Sequence, residues 1–156
     1  MQSEIPIKIL LADDDIDDRF FFEKAVKAIP IVTQLITVSN GEELMNYLHT
    51  NLMSLPDVLF LDLSMPRKTG FECLLEMNED ENLKDIPVVV FTTSFRRDLE
   101  FEQKLSNTLI NMGAQSYLPK PSDFEKLKQI LQPILIKILE KARSITELKN
   151  KSIDTE

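Results

Sequence analysis

The stretch Pro56-Asp57-Val58-Leu59-Phe60-Leu61-Asp62-Leu63-Ser64-Met65-Pro66-Arg67-Lys68-Thr69-Gly70 decides the fold. Val58 to Leu61 are four consecutive apolar residues, the pattern of a strand covered on both faces, as strands of parallel sheets are. The run stops at a carboxylate, Asp62, and Pro66 and Gly70 then suit a turn into the next element. Asp62 is therefore expected at the carboxyl edge of a central strand, where open α/β sheets bind their ligands.

Working outward, Ile7–Ala12, apolar apart from Lys8, is a second such run halted by acids: Asp13, Asp14 and Asp15, then Asp17 and Asp18. Val88–Phe91 is a third, and it ends in the hydroxyls of Thr92, Thr93 and Ser94. Weaker strand signals lie at 34–38 and 115–118, the latter followed by Pro119-Lys120-Pro121. Between them the spacing turns helical: Phe22, Val26 and Ile29 within 17–29; Leu44, Tyr47 and Leu48 after the turn Ser39-Asn40-Gly41; and 71–77, with Leu74 and Leu75 inward and Cys73 half-buried. A further helix over 98–112 carries Phe101, Leu105, Leu109 and Met112 on one face, with Gly113 as its left-handed terminator. Ser122 and Glu125 form a capping box for the last helix, which runs to Arg143 and should kink or split at Pro133. Residues 144–156 are polar and alternate in charge, and are expected to fray as a tail behind a single domain spanning 1–143.

Five strands alternating with five helices call for a doubly wound, five-stranded parallel sheet of flavodoxin-like type, order 2-1-3-4-5. That order brings the acids after the first strand, Asp62, the hydroxyls after the fourth strand and Lys120 to one edge. Three carboxylates in one small site repel each other unless a cation joins them, and a hard ion such as Mg²⁺ suits oxygen donors. A phosphoryl group arriving there would meet the ion, the Lys120 ammonium and the Thr92 hydroxyl, with Asp62 placed to attack phosphorus and form an aspartyl phosphate.

The totals narrow the class. With 156 residues, 43% apolar and 28% charged, the chain has the makings of one globular domain. A net charge of −8 disfavours non-specific binding to nucleic acid or anionic membrane, because there is no excess of cations to neutralise phosphates. One cysteine, Cys73, excludes a disulfide framework and a cysteine metal cluster within one chain. No signal pattern opens the sequence and no apolar run reaches the roughly 18 residues that span a bilayer, so a cytoplasmic location is the expectation.

The pieces ILLADDD, LFLDLSMPRKTG, VVVFTTS and GAQSYLPKP, in this order and at these strand ends, resemble the receiver domain of two-component response regulators over residues 7–143. The resemblance implies Asp62 as phosphoacceptor, Asp13 and Asp14 as the acid pair, and Mg²⁺ held by Asp14, Asp62 and the backbone carbonyl of Ser64. It further implies Thr92 and Tyr117 as a switch pair, Lys120 as the phosphate-contacting lysine and a cis peptide between Lys120 and Pro121. Two departures stand out. The interval from Thr92 to Lys120 is longer than the family's usual spacing, with the excess expected around Ser94-Phe95-Arg96-Arg97, and Asp15 adds a third acid expected to face solvent.

The function so implied is a single-domain response regulator, a signalling protein that catalyses only its own phosphorylation and dephosphorylation. A sensor histidine kinase would phosphorylate Asp62, and a changed face of the fourth helix, fifth strand and fifth helix would engage a downstream protein or a histidine phosphotransfer protein. Self-association through that face is a further expectation, alongside the alternative that the wide apolar sector at Ile134-Leu135 and Ile138-Leu139 turns inward after Pro133. The runner-up is an aspartate-nucleophile phosphotransferase or phosphatase acting on a small metabolite. That class usually has a second acid two residues after the nucleophile, where Ser64 stands. A flavodoxin-like cofactor binder would need a glycine-rich phosphate loop, and the only glycines are 41, 70 and 113.

Overall fold

In the computed structural model, which describes residues 5–93 and 98–154, five strands alternate with five helices. They run β1 (Ile7–Ala12), α1 (Ile16–Lys27), β2 (Thr33–Val38), α2 (Gly41–Thr50), β3 (Val58–Leu61), α3 (Gly70–Glu79), β4 (Val88–Thr92), α4 (Leu99–Asn111), β5 (Ser116–Pro119) and α5 (Phe124–Asp154). All pairings are parallel and the order is β2-β1-β3-β4-β5, as the sequence pattern predicts. Leu11 of β1 lies beside Phe60 of β3, and Phe60 beside Val89 of β4, so the three apolar runs form the centre of the sheet.

Because successive side chains along a strand point to opposite faces, the central strands feed two apolar layers. Leu10, Ala12, Leu59, Leu61, Val88 and Val90 pack with α2, α3 and Leu109 of α4. Ile9, Leu11, Val58, Phe60, Val89 and Phe91 pack on the other face with α1 and α5. In the second layer Phe22, Phe60 and Phe91 meet edge to face, with ring centroids 5.0 to 6.2 Å apart. Cys73 is fully buried, deeper than its half-buried expectation, whereas Leu75 turns outward and is 47% exposed. Cys73, Leu74 and Met77 already supply the inward stripe of α3, and Leu75 lies about 100° further round the helix than Leu74.

Each helix start is set by a short polar side chain that accepts otherwise unpaired N–H groups. Asp15 caps α1, Asn40 caps α2, Thr69 caps α3 and Asp98 caps α4. At α5 the cap is Asp123, which accepts from the N–H of Glu125 at 2.8 Å, and not the Ser122 of the expected capping box. The two residues are adjacent and both cap well, and the carboxylate gives the stronger, charge-assisted bond.

For the last helix, the expected split at Pro133 and the expected frayed tail are corrected. α5 passes Pro133 without a break and continues to Asp154, so residues 144–154 are helical and not a frayed tail. Pro133 is exposed, and the carbonyl its missing N–H would have served belongs to Gln129, also exposed, so water can satisfy it. The polar, charge-alternating composition beyond Arg143 suits a solvated helix as well as a loose tail. The wide apolar sector is used internally: Leu135 is buried, and Ile134, Ile138 and Leu139 pack against the α1 side of the sheet. The segment Ser94-Phe95-Arg96-Arg97, where the sequence places the extra length, lies outside the described residues.

Candidate functional site

Where β1, β3, β4 and β5 end, the chain delivers one chemical group each to one sheet edge, and those after β3, β4 and β5 line a cleft of about 520 Å³. Asp13 follows β1, Asp62 follows β3, Thr92 closes β4 and Lys120 follows β5. Backbone bonds from sheet neighbours fix these positions: the Asp62 N–H donates to the Ala12 carbonyl at 3.0 Å and the Lys120 N–H to the Thr92 carbonyl at 2.8 Å. Asp13, Asp62 and Thr92 are all buried, at 1%, 5% and 1% exposure.

Around Asp62 the contacts divide between its two oxygens. Oδ1 accepts from the Thr92 hydroxyl at 2.8 Å and from the Ser64 N–H at 3.3 Å, and Oδ2 lies 3.2 Å from Lys120 Nζ. Lys120 Nζ also lies 2.7 Å from Asp13 Oδ2 and 3.0 Å from Asp18 Oδ2. Asp14 is exposed beside them, and carboxylate oxygens of Asp13, Asp14 and Asp62 all lie within 4.8 Å of one another. Hard, convergent oxygen donors of this kind fit a divalent cation. The structure thus brings together Asp13, Asp14, Asp62, Thr92 and Lys120, with Ser64 on the cleft wall.

Electrostatics follow from burial. Asp13 is raised to about 6 by desolvation, against the lowering effect of its bonds to Lys120 and to the Asp15 N–H. Desolvation acts to lower Lys120, but hydrogen bonds with Asp13 and Asp18 and the charges of Asp13 and Asp62 outweigh it and hold the ammonium above its ordinary range. At neutral pH the lysine is charged and gathers the carboxylates around it.

Tyr117 on β5 is half-buried against the α2–α3 side of the sheet, and its hydroxyl donates to Glu102 Oε2 of α4 at 3.2 Å. Burial, then the Glu102 charge and this bond, push its phenol up to about 12. A folded-state value above the unfolded value of about 10 gives stability that is fully present below pH 10 and lost as pH rises through 12. The raised Lys120 acts in the same alkaline direction. Urea midpoints are therefore expected to begin falling above about pH 9, where the buried Cys73 thiol, raised to about 11, starts the loss, and to fall further above 10, where Tyr117 adds to it, with a shallower fall above 10 in Tyr117→Phe. An equal fall in the variant would remove Tyr117 as a contributor.

The expected cis peptide is absent: every peptide bond among the described residues is trans, Lys120–Pro121 included. An X–Pro bond prefers trans by only about 0.5–1 kcal/mol, so local sequence does not dictate the isomer. Asp15 is exposed as expected, but it also serves as the α1 cap, accepting from the N–H groups of Asp17 and Asp18. Two residues at the site carry no expected role in the sequence: Asp18, and Arg19, whose guanidinium donates to the Asp13 carbonyl at 2.7 Å. Their signal is their place in the first turn of a helix that follows strand-end acids.

Among the described residues no helix is long and apolar enough to cross a membrane. A family profile described as "response regulator receiver domain" matches residues 9–132. The chain is 31% identical to the probable methanogenesis regulatory protein FilR2 of Methanothrix harundinacea (strain 6Ac) over 137 residues, 86% of this chain and 84% of that one. Among solved structures it is similar to the phosphorylated cyanobacterial phytochrome response regulator RcpA, at 32% identity and a TM-score of 0.69 over 83% of this chain and 91% of that one. It is similar also to the Mn²⁺-bound form of response regulator Rcp1, at 30% identity and a TM-score of 0.69, with the same coverage of 83% and 91%.

Proposed function

Because the chain belongs to the response regulator receiver domain family, we propose that Asp62 accepts a phosphoryl group from a sensor histidine kinase and that the change at its carboxylate is read by a protein partner. The observation that carries this reading is the meeting of a buried carboxylate, a lysine ammonium and a hydroxyl at one strand edge, beside two further acids able to hold an ion.

Asp62 is the nucleophile. One of its oxygens bonds to phosphorus as the bond from phosphorus to the donor breaks, the donor atom being a histidine nitrogen in the kinase or an acyl oxygen in acetyl phosphate. Lys120 and Thr92, already bonded to Asp62, are placed to stabilise charge on the phosphoryl oxygens. Asp13, Asp14, Asp62 and the backbone carbonyl of Ser64 are the groups that would hold Mg²⁺, which when bound supplies positive charge for the phosphoryl group. The relatives RcpA, solved phosphorylated, and Rcp1, solved with Mn²⁺, support both halves of this reading.

Thr92 and Tyr117 are the proposed switch. A Thr92 hydroxyl drawn to the phosphoryl group leaves room behind it, and Tyr117, two residues before Pro119, which pairs with Thr92, can move in from its bond with Glu102. The α4-β5-α5 face would then change and meet its partner, a downstream protein or a histidine phosphotransfer protein, or a second copy of the chain, in the cytoplasm.

Intact-mass measurement after incubation with acetyl phosphate tests the acceptor. Wild type with Mg²⁺ is expected to gain one phosphoryl group, and wild type without the ion or Asp62→Ala is expected to gain none. An adduct of equal yield in Asp62→Ala would reassign the acceptor.

A further inference from the structure

Lys120 is held from three sides, by Asp13, Asp18 and Asp62 at 2.7, 3.0 and 3.2 Å. An ammonium has three N–H donors, so each carboxylate takes one. The three are not equivalent. The side chains of Asp13 and Asp62 are 2% and 6% exposed, and each has a second anchor: Asp13 Oδ1 accepts from the Asp15 N–H, and Asp62 Oδ1 from Thr92 and Ser64. Asp18 comes from the first turn of α1, is 42% exposed, and stands on the wall of the cleft that Asp62, Ser64 and Thr92 also line.

This difference decides which bond can be exchanged. Withdrawing the ammonium from Asp13 leaves a buried charge unpaired, whereas Asp18 can release it and be solvated. Resting on the reading of Asp62 as phosphoacceptor, we propose that Asp18 is a positioning residue that holds Lys120 in the unphosphorylated protein and competes with the phosphoryl group for it. On phosphorylation Lys120 passes an N–H from Asp18 to a phosphoryl oxygen, and Asp18 turns to water. The Asp18 carboxylate, as a like charge on the cleft wall, opposes the incoming dianion as well. Its role is to weaken the hold of the site on a phosphoryl group, and so to make the phosphorylated state easier to reverse.

Calorimetric titration of the full chain at saturating Mg²⁺ with beryllofluoride, which mimics a phosphoryl group on a carboxylate, reads the competition directly. Asp18→Asn keeps the shape and removes the charge, and is expected to bind beryllofluoride about three- to tenfold more tightly than wild type. Asp18→Glu restores the charge and is expected to return most of the way to the wild-type affinity, a rescue that a merely structural role would not give. Glu23→Gln removes an exposed carboxylate from the same helix away from the cleft and is expected to stay within about twofold. Thermal melts in Mg²⁺ establish that each variant is folded. Equal or weaker binding by Asp18→Asn, or equal tightening by Glu23→Gln, overturns the role of Asp18 and leaves Asp62 as acceptor. Failure of wild type to bind beryllofluoride overturns the acceptor reading itself, and the role of Asp18 with it.

Discussion

Lys120→Ala is expected to destabilise the protein in EDTA by about 3–5 kcal/mol, the range for removing one partner of a buried ion pair. The reason is that Asp13 and Asp62 are almost wholly buried and share this one ammonium, so the variant leaves two carboxylates facing each other without a cation. Part of the loss is relieved by protonation, since Asp13 is already raised to about 6 by burial. Mg²⁺ should relieve more. An ion bound only by the folded state adds about 2.7 kcal/mol at a hundredfold excess over its dissociation constant, and the uncompensated site binds it more tightly. The measurement is urea unfolding of wild type and variant, each with and without Mg²⁺. A larger Mg²⁺ gain in the variant is the expected result, and equal gains would mean that lysine and ion do not answer the same charge.

Gly70→Ala is the second large effect, and it acts through the backbone. Gly70 opens α3, and its N–H donates to the Leu63 carbonyl at 3.0 Å, which folds the loop after β3 back on itself. A Cβ at this position would overlap the Asp62 carbonyl oxygen and crowd the Leu63 Cα. Neither is a flexible side chain, and the Asp62 N–H is tied to Ala12 across the sheet. Relief must come from displacing the loop, so a loss of about 2–3 kcal/mol is expected, together with a drop in phosphorylation by acetyl phosphate, because the displaced residue is the proposed acceptor. Loss of stability with phosphorylation intact would show that the loop can shift without carrying Asp62.

What the sequence carried best was the sheet. Runs such as Val58–Leu61 are apolar at every position because both faces are covered, and a carboxylate or hydroxyl stops each run where the strand reaches water. The cluster of Asp13, Asp14, Asp62, Thr92 and Lys120 was legible for the same reason: strand order alone brings those ends together. Asp18 was not, since within an acid run nothing distinguishes a solvated residue from one that reaches Lys120, 102 positions away. That depends on Asp15 capping α1, which sets where the first turn begins. The Tyr117 bond to Glu102 was hidden likewise, because it depends on how α4 lies against β5. The length of α5 was obscured by composition that a solvated helix and a loose tail share.

The burial of Cys73 has a practical side. Its thiol is walled in between α3 and its neighbours, and desolvation lifts it to about 11 despite the nearby Lys68 charge, so very little thiolate exists at neutral pH and alkylating reagents have poor access. It is the one cysteine of the chain. A second cysteine placed on an exposed position of the α4 or α5 surface could therefore carry a fluorophore or spin label by itself, without removing a native residue first. Movements of that surface could then be followed in otherwise unaltered protein.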